Sequence, residues 1–589
     1  MGSSSSEKLQ AWWKESSVYQ IYTPSFKDSN GDGIGDIRGI INKLDYIQNL
    51  GVDIVWLNPV FKSPQVDMGY DISDYCDIHP PYGTATDVDE LTDALHRRGM
   101  KLVMDLVVNH TSDQHPWFKE SRSSPASKYR DWYIWKRPTF DENGKRQPPN
   151  NWASYFGGSA WEYDEASEEY YLHLFAKEQP DLNWENPAVR AAVEVIMRYW
   201  LDRGIDGFRM DVINFISKDM DFPDAPVTNT ASIWQNGAQY YACGPRLHEY
   251  LRDIGKILKE YDAFSVGEMP EVNDCDEILK AVGFDRGELS MIFHFELMEL
   301  DRGAEGKFTP GEWKMHELKS IVSKWQKVMH ENNGWNALYL ENHDQPRSVS
   351  RFASDDPQYR AMSAKLLATF LGFQSGTVFI YQGQELGMAN VPHDWTIDRY
   401  RDIETLNHWT ELLVTKKDDS ASHTTTLAEY RKKSRDNART PMQWDSSTHA
   451  GFSTATPWIP VHEDYPTWNA TAQVIDAGSV YHYWASLLRL RKTFPDIFVY
   501  GSFELVSPDD LDVFAYTRYS STGTALVVLN FEPQEVSWTI PKGLFRRQAP
   551  EVLLSNYTRA KASIIAGETI TLAPLEAFVL LSATPSSSL

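Results

Sequence analysis

Seven short runs in this chain are apolar on both faces, end in a polar or charged cluster, and lead into a helical pattern. They are VYQIYTPSF from Val18, DIVWLNPV from Asp53, KLVMDLVVNH from Lys101, IDGFRMDV from Ile205, AFSVGEMP from Ala263, ALYLENHDQ from Ala337 and TVFIYQGQE from Thr377. Parallel strands covered by helices need such two-sided apolarity. Helical stretches such as NKLDYIQNLG and DELTDALHRRG lie between them, closed by Gly51 and Gly99 as helix C-termini prefer. Strand–helix alternation over this length predicts an α/β fold, a (β/α)8 TIM barrel whose polar strand ends face one mouth.

The alternation breaks after Asn109-His110, where a stretch rich in Pro, Trp, Tyr and Asn precedes the next strand. It reads as an inserted B subdomain over 111–178. The barrel is therefore expected over 12–110 and 179–502, with a polar loop excursion at about 388–450. From 503 the pattern becomes strands without helices, among them DVFAYTRYS, TALVVLN, VSWTI and ETITLAPLEAFVLL, which predicts a C-terminal antiparallel β-sandwich over 503–589. Residues 1–11 read as a flexible leader and the tail SATPSSSL as disordered.

Charge narrows the partner classes. Lys plus Arg number 57 against 82 Asp plus Glu, a net −25. Such a surface repels phosphate backbones, so nucleic acid and anionic membranes are excluded as partners, while a neutral substrate meets no penalty. Aromatic residues make up 13%, with 21 Trp, and flat rings suit the apolar faces of sugars. Cys76, Cys243 and Cys275 are too few and scattered for a disulfide framework or zinc site. The start has no apolar signal region, although Gly2 and Ser6 formally fit a myristoylation pattern, and no run reaches ~18 apolar residues. A cytoplasmic monomer acting on a small oligosaccharide is expected, with the sequons at Asn469 and Asn556 idle.

Three strand ends carry an acid in a polar cluster: Asp211 in GFRMDV, Glu268 in VGEMP and Asp344 in ENHDQP. Glycosidic cleavage needs one carboxylate to attack or hold water and a protonated one to donate to the leaving oxygen. A lone Asp after a strand more often caps the next helix; three such acids, with Arg209 and His343 beside them, favour chemistry. Two positions apart on an extended strand, Arg209 and Asp211 point the same way, so the cation can keep the acid ionised.

DLVVNH (105–110), GFRMDV (207–212), VGEM (266–269) and ENHD (341–344) resemble the four ordered motifs of the α-amylase superfamily, glycoside hydrolase family 13. QPDLN (179–183) is similar to its fifth, and MGYDI (68–72) and ARTPMQW (438–444) to further signatures. Within it the chain looks like the α-glucosidase and oligo-1,6-glucosidase (isomaltase) group. The resemblance implies Asp211 as nucleophile, Glu268 as general acid/base and Asp344 as a clamp on sugar hydroxyls, with retained stereochemistry. It also implies Asp67 and Arg439 as a pair closing the pocket floor, Tyr70 as a stacking platform, and His110, Gln179, Arg209 and His343 as hydrogen-bonding partners. Phe175 would line the wall from the insertion, where the long segment turns a cleft into an exo-acting pocket.

Val212, after the expected nucleophile, is similar to members that prefer α-1,6 links; α-1,4 maltases tend to carry Thr or a smaller residue. Val212 as plain core packing is the competing reading. DSNGDGIGD (28–36) puts oxygens at Asp28, Asn30, Asp32 and Asp36, but its twelfth position is Gly39, so it is no EF-hand. The family resemblance implies a structural Ca²⁺ there, or Mg²⁺, using also the Ile34 carbonyl; an Asx-rich turn without metal is the alternative. The rivals for function are a broad maltase/sucrase-type α-glucosidase, a transglucosylating or isomerising relative, and a catalytically dead binding module. The last would lack the acids that this chain retains.

Overall fold

A computed structural model describes residues 11–230, 232–545, 550–558 and 567–583. The leader up to residue 10, with Gly2 and Ser6, and the tail from 584 lie outside the described residues. Eight parallel strands form one sheet: β1 (Ser17–Ile21), β2 (Ile54–Leu57), β3 (Lys101–Leu106), β4 (Gly207–Met210), β5 (Phe264–Glu268), β6 (Met291–Phe293), β7 (Ala337–Leu338) and β8 (Thr377–Tyr381). Their spatial order is β6-β5-β4-β3-β2-β1-β8-β7, and a parallel bridge between Ile292 and Asn336 closes the ring. This is the expected TIM barrel. Every residue of β1, β2, β4, β5 and β8 is buried, which accounts for the apolarity of those runs on both faces. Strand β6 is the one that no quoted run predicts. It has three residues, MIF, and no polar cluster at its end to mark it.

The helices follow the same local chemistry. Helix Leu44–Leu50 stops at Gly51, whose φ of 95° is open to a residue without Cβ, and helix Ala85–His96 starts from a Thr84/Asp87 capping box. In the segment after β3, Trp161–Asp164 and Glu169–Leu172 pair as a hairpin joined by Trp135–Lys136. Its core, built on Trp152, Trp161 and Leu172, also takes in Val212 and Phe215 from the turn after β4. The insertion is thus packed against the mouth. The region 388–450 contains more order than a loop excursion: helices Ile403–Thr415 and Ser420–Lys433, started by Asp402 and Asp419, and the short Asp436–Arg439.

The C-terminal part holds an antiparallel five-stranded sheet and a two-stranded one. In strand Val513–Tyr519 the two faces alternate: Phe514 and Tyr516 join the barrel core, while Val513 and Ala515 pack with Trp538 and Leu572. Both sequon residues are buried and engaged. Asn469 caps the helix Ala470–Ile475, and the Asn556 amide donates to the Leu575 and Met362 carbonyls. Among the described residues no helix is long and apolar enough to cross a membrane, and the three cysteines are free.

Candidate active site

Parallel register brings the polar strand ends together. Arg209 on β4 is the register partner of Asp105 on β3 and Val266 on β5, so its guanidinium lies among the ends of three strands. It is 1% exposed. Its Nη1 donates to Asp105 Oδ1 at 2.7 Å and to Asp211 Oδ1 at 2.8 Å, and its Nη2 lies 2.6 Å from Glu268 Oε2. One planar cation therefore holds Asp211 and Glu268 on its two amino groups. Behind it, the Trp56 indole donates to Asp105 Oδ2 at 3.0 Å. Val212 follows with φ 34° and ψ 44°, a left-handed conformation that a β-branched residue adopts only under strain, and its N–H points to Glu268 Oε2 at 3.4 Å.

The electrostatics follow from three acids sharing one guanidinium. Burial pushes Asp211 and Glu268 each up to about 7, against the pull of Arg209, and pushes Asp105 up to about 6. Burial outweighs the pull of Arg209 at both Asp211 and Glu268, so each holds its proton to higher pH than an exposed carboxylate does. Asp344 behaves oppositely. Burial alone would raise it, but His343, Arg435 and Arg439 hold it well below the usual carboxylate range. Burial also lowers His110 and His343, favouring the uncharged form of each ring.

The pocket floor corrects one expected pairing. Asp67 makes its ion pair with Arg435, Nη2 to Oδ1 at 3.1 Å, and not with Arg439. Arg439 instead donates to Asp344 Oδ1 at 2.7 Å and from Nε to the His343 carbonyl at 3.0 Å. The two arginines stand one turn apart across the short helix Asp436–Arg439. The deeper guanidinium is drawn to the chain around His343, which leaves Arg435 to face the cavity, where it also reaches Asp344 at 3.3 Å and Asp402 at 2.6 Å. Gln179 donates to Asp67 Oδ2 at 3.1 Å and lies 3.3 Å from His110 Nε2. Tyr70 stacks on His343 at 5.2 Å with nearly parallel rings, and His343 Nδ1 meets Gln20 Nε2 at 2.9 Å.

Asp67, Tyr70, His110, Phe175, Asp211, Val212, Glu268 and Asp344 line one cavity enclosing about 790 Å³, mouth included. Gln179, Arg209, His343 and Arg439 lie directly behind them. The wall is aromatic: Phe175 packs on His110 at 5.1 Å and stacks on Tyr155 at 5.2 Å, which in turn stacks on Phe215 at 5.8 Å. Sequence reasoning missed Tyr155, Phe156, Phe215, Phe295, Lys307, Gln345, Glu404 and Arg435 on the lining, and Asp105 beneath it. Two of these had a signal. Asp105 sits inside an otherwise apolar strand, where a carboxylate needs a partner. Arg435 precedes Arg439 by four positions, so the two share one face of a turn.

The loop 28–36 stands apart from this pocket. Asp28 accepts from the amides of Asn30, Gly31 and Gly33 and from the Ser453 hydroxyl at 2.5 Å; Asn30 accepts from Asp32 N, and Asp32 from Ile34 N. Asp36 caps the helix Ile37–Ile41 and accepts from Ser29. Gly33, at φ 91°, passes so close to Thr456 that a Cβ would lie 2.3 Å from its carbonyl oxygen. Hard oxygen donors at alternating positions suit Ca²⁺ or Mg²⁺. No group of three or more His, Cys, Asp or Glu side chains converges as a metal site among the described residues, so a cation here would depend on Asn30 and the Ile34 carbonyl as well.

Comparison with known proteins gives a consistent picture. Residues 20–501 match the family model described as alpha amylase, catalytic domain, and residues 503–579 that of the maltogenic amylase C-terminal domain. The chain is 54% identical to an alpha-glucosidase of Schizosaccharomyces pombe, covering 98% of this chain and 99% of that one. It is 51% identical to an oligo-1,6-glucosidase of Parageobacillus thermoglucosidasius, covering 97% and 99%. Among solved structures it is similar to a Bacillus licheniformis trehalose-6-phosphate hydrolase (TM-score 0.89, 43% identity, 98% and 100% covered). It is likewise similar to an isomaltulose synthase from Klebsiella sp. LX3 (TM-score 0.91, 41% identity, 97% and 99% covered).

Proposed function

The chain belongs to the alpha-amylase family and is a glycoside hydrolase of the α-glucosidase and oligo-1,6-glucosidase type; from that premise we propose a retaining, exo-acting enzyme that releases glucose from the non-reducing end of short α-glucosides, with a preference for α-1,6 links. The observation that carries this reading is the single buried guanidinium of Arg209 shared between Asp211 and Glu268 at the wall of one pocket. In this reading Asp211 attacks the anomeric carbon and Glu268 protonates the leaving oxygen, then deprotonates the incoming water. Arg209 stabilises the anionic form of both carboxylates and burial raises both to about 7; this reading places the retained proton on Glu268 and the charge on Asp211. Asp344, held ionised by Arg435 and Arg439, accepts from the sugar hydroxyls, and Asp67 with Arg435 closes the floor. Tyr70 offers its ring to the glucose face, with His110, Gln179 and His343 fixing the hydroxyls and Phe175 the wall.

The α-1,6 preference rests on Val212, which presents methyl groups and no hydroxyl to the pocket. The same proposal includes a structural cation held by Asp28, Asn30, Asp32, Asp36 and the Ile34 carbonyl, and a monomer working in the cytoplasm. Hydrolysis of 4-nitrophenyl α-glucoside with release of α-glucose, seen by NMR before mutarotation, supports the core of the reading. Release of β-glucose, or full activity in Asp211→Asn, rejects it. Rates on isomaltose, maltose, sucrose and trehalose 6-phosphate side by side decide the linkage, and a maltose rate above the isomaltose rate removes that part.

A further inference from the structure

Arg351 ties two neighbouring strand ends together behind the pocket wall. It stands in the short helix Ser348–Phe352, which follows β7, and its side chain is 6% exposed. Its Nε and Nη2 hold Asp301, in the segment after β6, at 2.9 and 2.5 Å, and Nη2 also donates to the Met298 carbonyl. Burial would raise Asp301, but the hydrogen bonds and charge of Arg351 lower it, so the pair is ionised. The other amino group, Nη1, donates to Gln345 Oε1 at 2.8 Å. A guanidinium carries donors and no acceptor, so only the amide oxygen of Gln345 can face it. That contact fixes the amide in one of its two orientations and leaves its NH2 for the cavity that Gln345 lines.

We propose that Arg351 is a positioning residue for the leaving sugar: by holding Asp301 and the Gln345 amide oxygen on one guanidinium, it makes Gln345 present a hydrogen-bond donor to an aglycone hydroxyl. The proposal rests on the α-glucosidase reading above and deepens it. Two adjacent residues are drawn to opposite sides here. Arg435 and Arg439 hold Asp344 toward the floor, where the glucose sits in that reading. Arg351 holds Gln345 toward the segment after β6, whose Phe295 and Lys307 line the wall. Strand β6 is the neighbour of β5, which carries Glu268. Glu268 protonates the leaving oxygen, so Gln345 stands on the leaving-group side. Without Arg351 the amide is free to flip and offer an acceptor in place of a donor. A pocket that hydrogen-bonds a substrate hydroxyl discriminates through that bond far more than through shape alone.

The test compares a disaccharide, isomaltose or maltose as wild type prefers, with α-glucosyl fluoride, which carries the same glucose and no aglycone hydroxyl. The quantity read is the ratio of their kcat/KM values, because damage to the glucose site or to the acids lowers both and cancels. Arg351→Met should lower the disaccharide-to-fluoride ratio about tenfold, the worth of one hydrogen bond to the substrate. Gln345→Glu keeps an oxygen for Arg351 but has no N–H to offer, and should lower the ratio as far; so should Gln345→Met. Arg351→Met combined with Gln345→Met should lower it no further than either alone. An unchanged ratio in Arg351→Met overturns the proposal, and a parallel fall on both substrates assigns Arg351 to the fold alone. A wild-type ratio in Gln345→Glu, or additive losses in the double variant, overturns it as well. If Arg351→Met does not fold, Arg351→Lys decides in its place, since a lysine keeps the charge for Asp301 but lacks the fork that also reaches Gln345. A wild type inactive on the fluoride removes the glucosidase reading and this one with it. A wild type active on both substrates, whose variants leave the ratio unchanged, removes only this one.

Discussion

The acids of the loop 28–36 and those at the barrel mouth are the same side chains in opposite settings. Asp28 is 3% exposed, yet three amides and a hydroxyl solvate it in place of water; burial would raise it, and these donors overcome burial and lower it. Asp211 and Glu268 are 7% exposed and share one guanidinium with Asp105. Too few donors reach them, so burial prevails and both rise to about 7. A carboxylate that the backbone fully satisfies shapes the chain. One left short of donors beside a competing acid keeps a mobile proton, which is what acid–base chemistry uses.

The comparison breaks first at the proposed nucleophile. Asp211→Asn should lower kcat on 4-nitrophenyl α-glucoside by about 10⁴-fold or more, with the circular dichroism spectrum retained. Residual activity within tenfold of wild type would mean that the two regions do not differ in kind. Removing the shared cation comes next. Arg209→Met leaves three buried acids without their partner and should cost about 3–5 kcal/mol of stability, read as the shift in urea midpoint at pH 7. That loss should shrink at pH 5, where protonation neutralises the acids.

The two regions should also respond to pH with opposite sign. Asp211 and Glu268 have folded pKa values above the unfolded ones, so the native state binds extra protons between about pH 4 and 7, and their contribution to stability falls as pH rises through that window. Asp28, lowered in the folded state, contributes stability above the unfolded carboxylate range and loses it as pH falls through the folded value. In kinetics, kcat/KM should decline as pH rises through about 7, where Glu268 gives up its proton, and Glu268→Gln should abolish that limb.

Smaller effects sharpen the contrast. Asp28→Asn should cost about 1–3 kcal/mol in urea unfolding and leave kcat unchanged, because the loop lines no part of the pocket; a chelator should lower the melting temperature with equally little effect on rate if the loop carries its cation. The smallest change is Val212→Thr, nearly isosteric, which should raise the maltose-to-isomaltose rate ratio severalfold, at the low end of the ~1–3 kcal/mol that one pocket contact supplies. An unchanged ratio would assign Val212 to the cluster of Trp152, Phe215 and Tyr241 alone.

Much of the molecule was legible in one dimension. Seven of the eight barrel strands, the Gly51 helix stop and the acids at 211, 268 and 344 could be read because strand burial, chain reversal and strand-end polarity are local properties written in consecutive residues. The short β6 escaped because three apolar residues carry no period. Arg435 and Glu404 escaped because their partners are far away in the chain: Asp67 lies 368 positions before Arg435, and Lys307 lies 97 before Glu404. Local pattern specifies which residues form strands and which acids stand at their ends. Which cation each acid meets, and whether it ends up solvated by amides or stranded beside another acid, depends on how strands and loops converge in three dimensions. Electrostatic energy depends on distance through space and on the donors within reach, and neither is a function of separation along the chain.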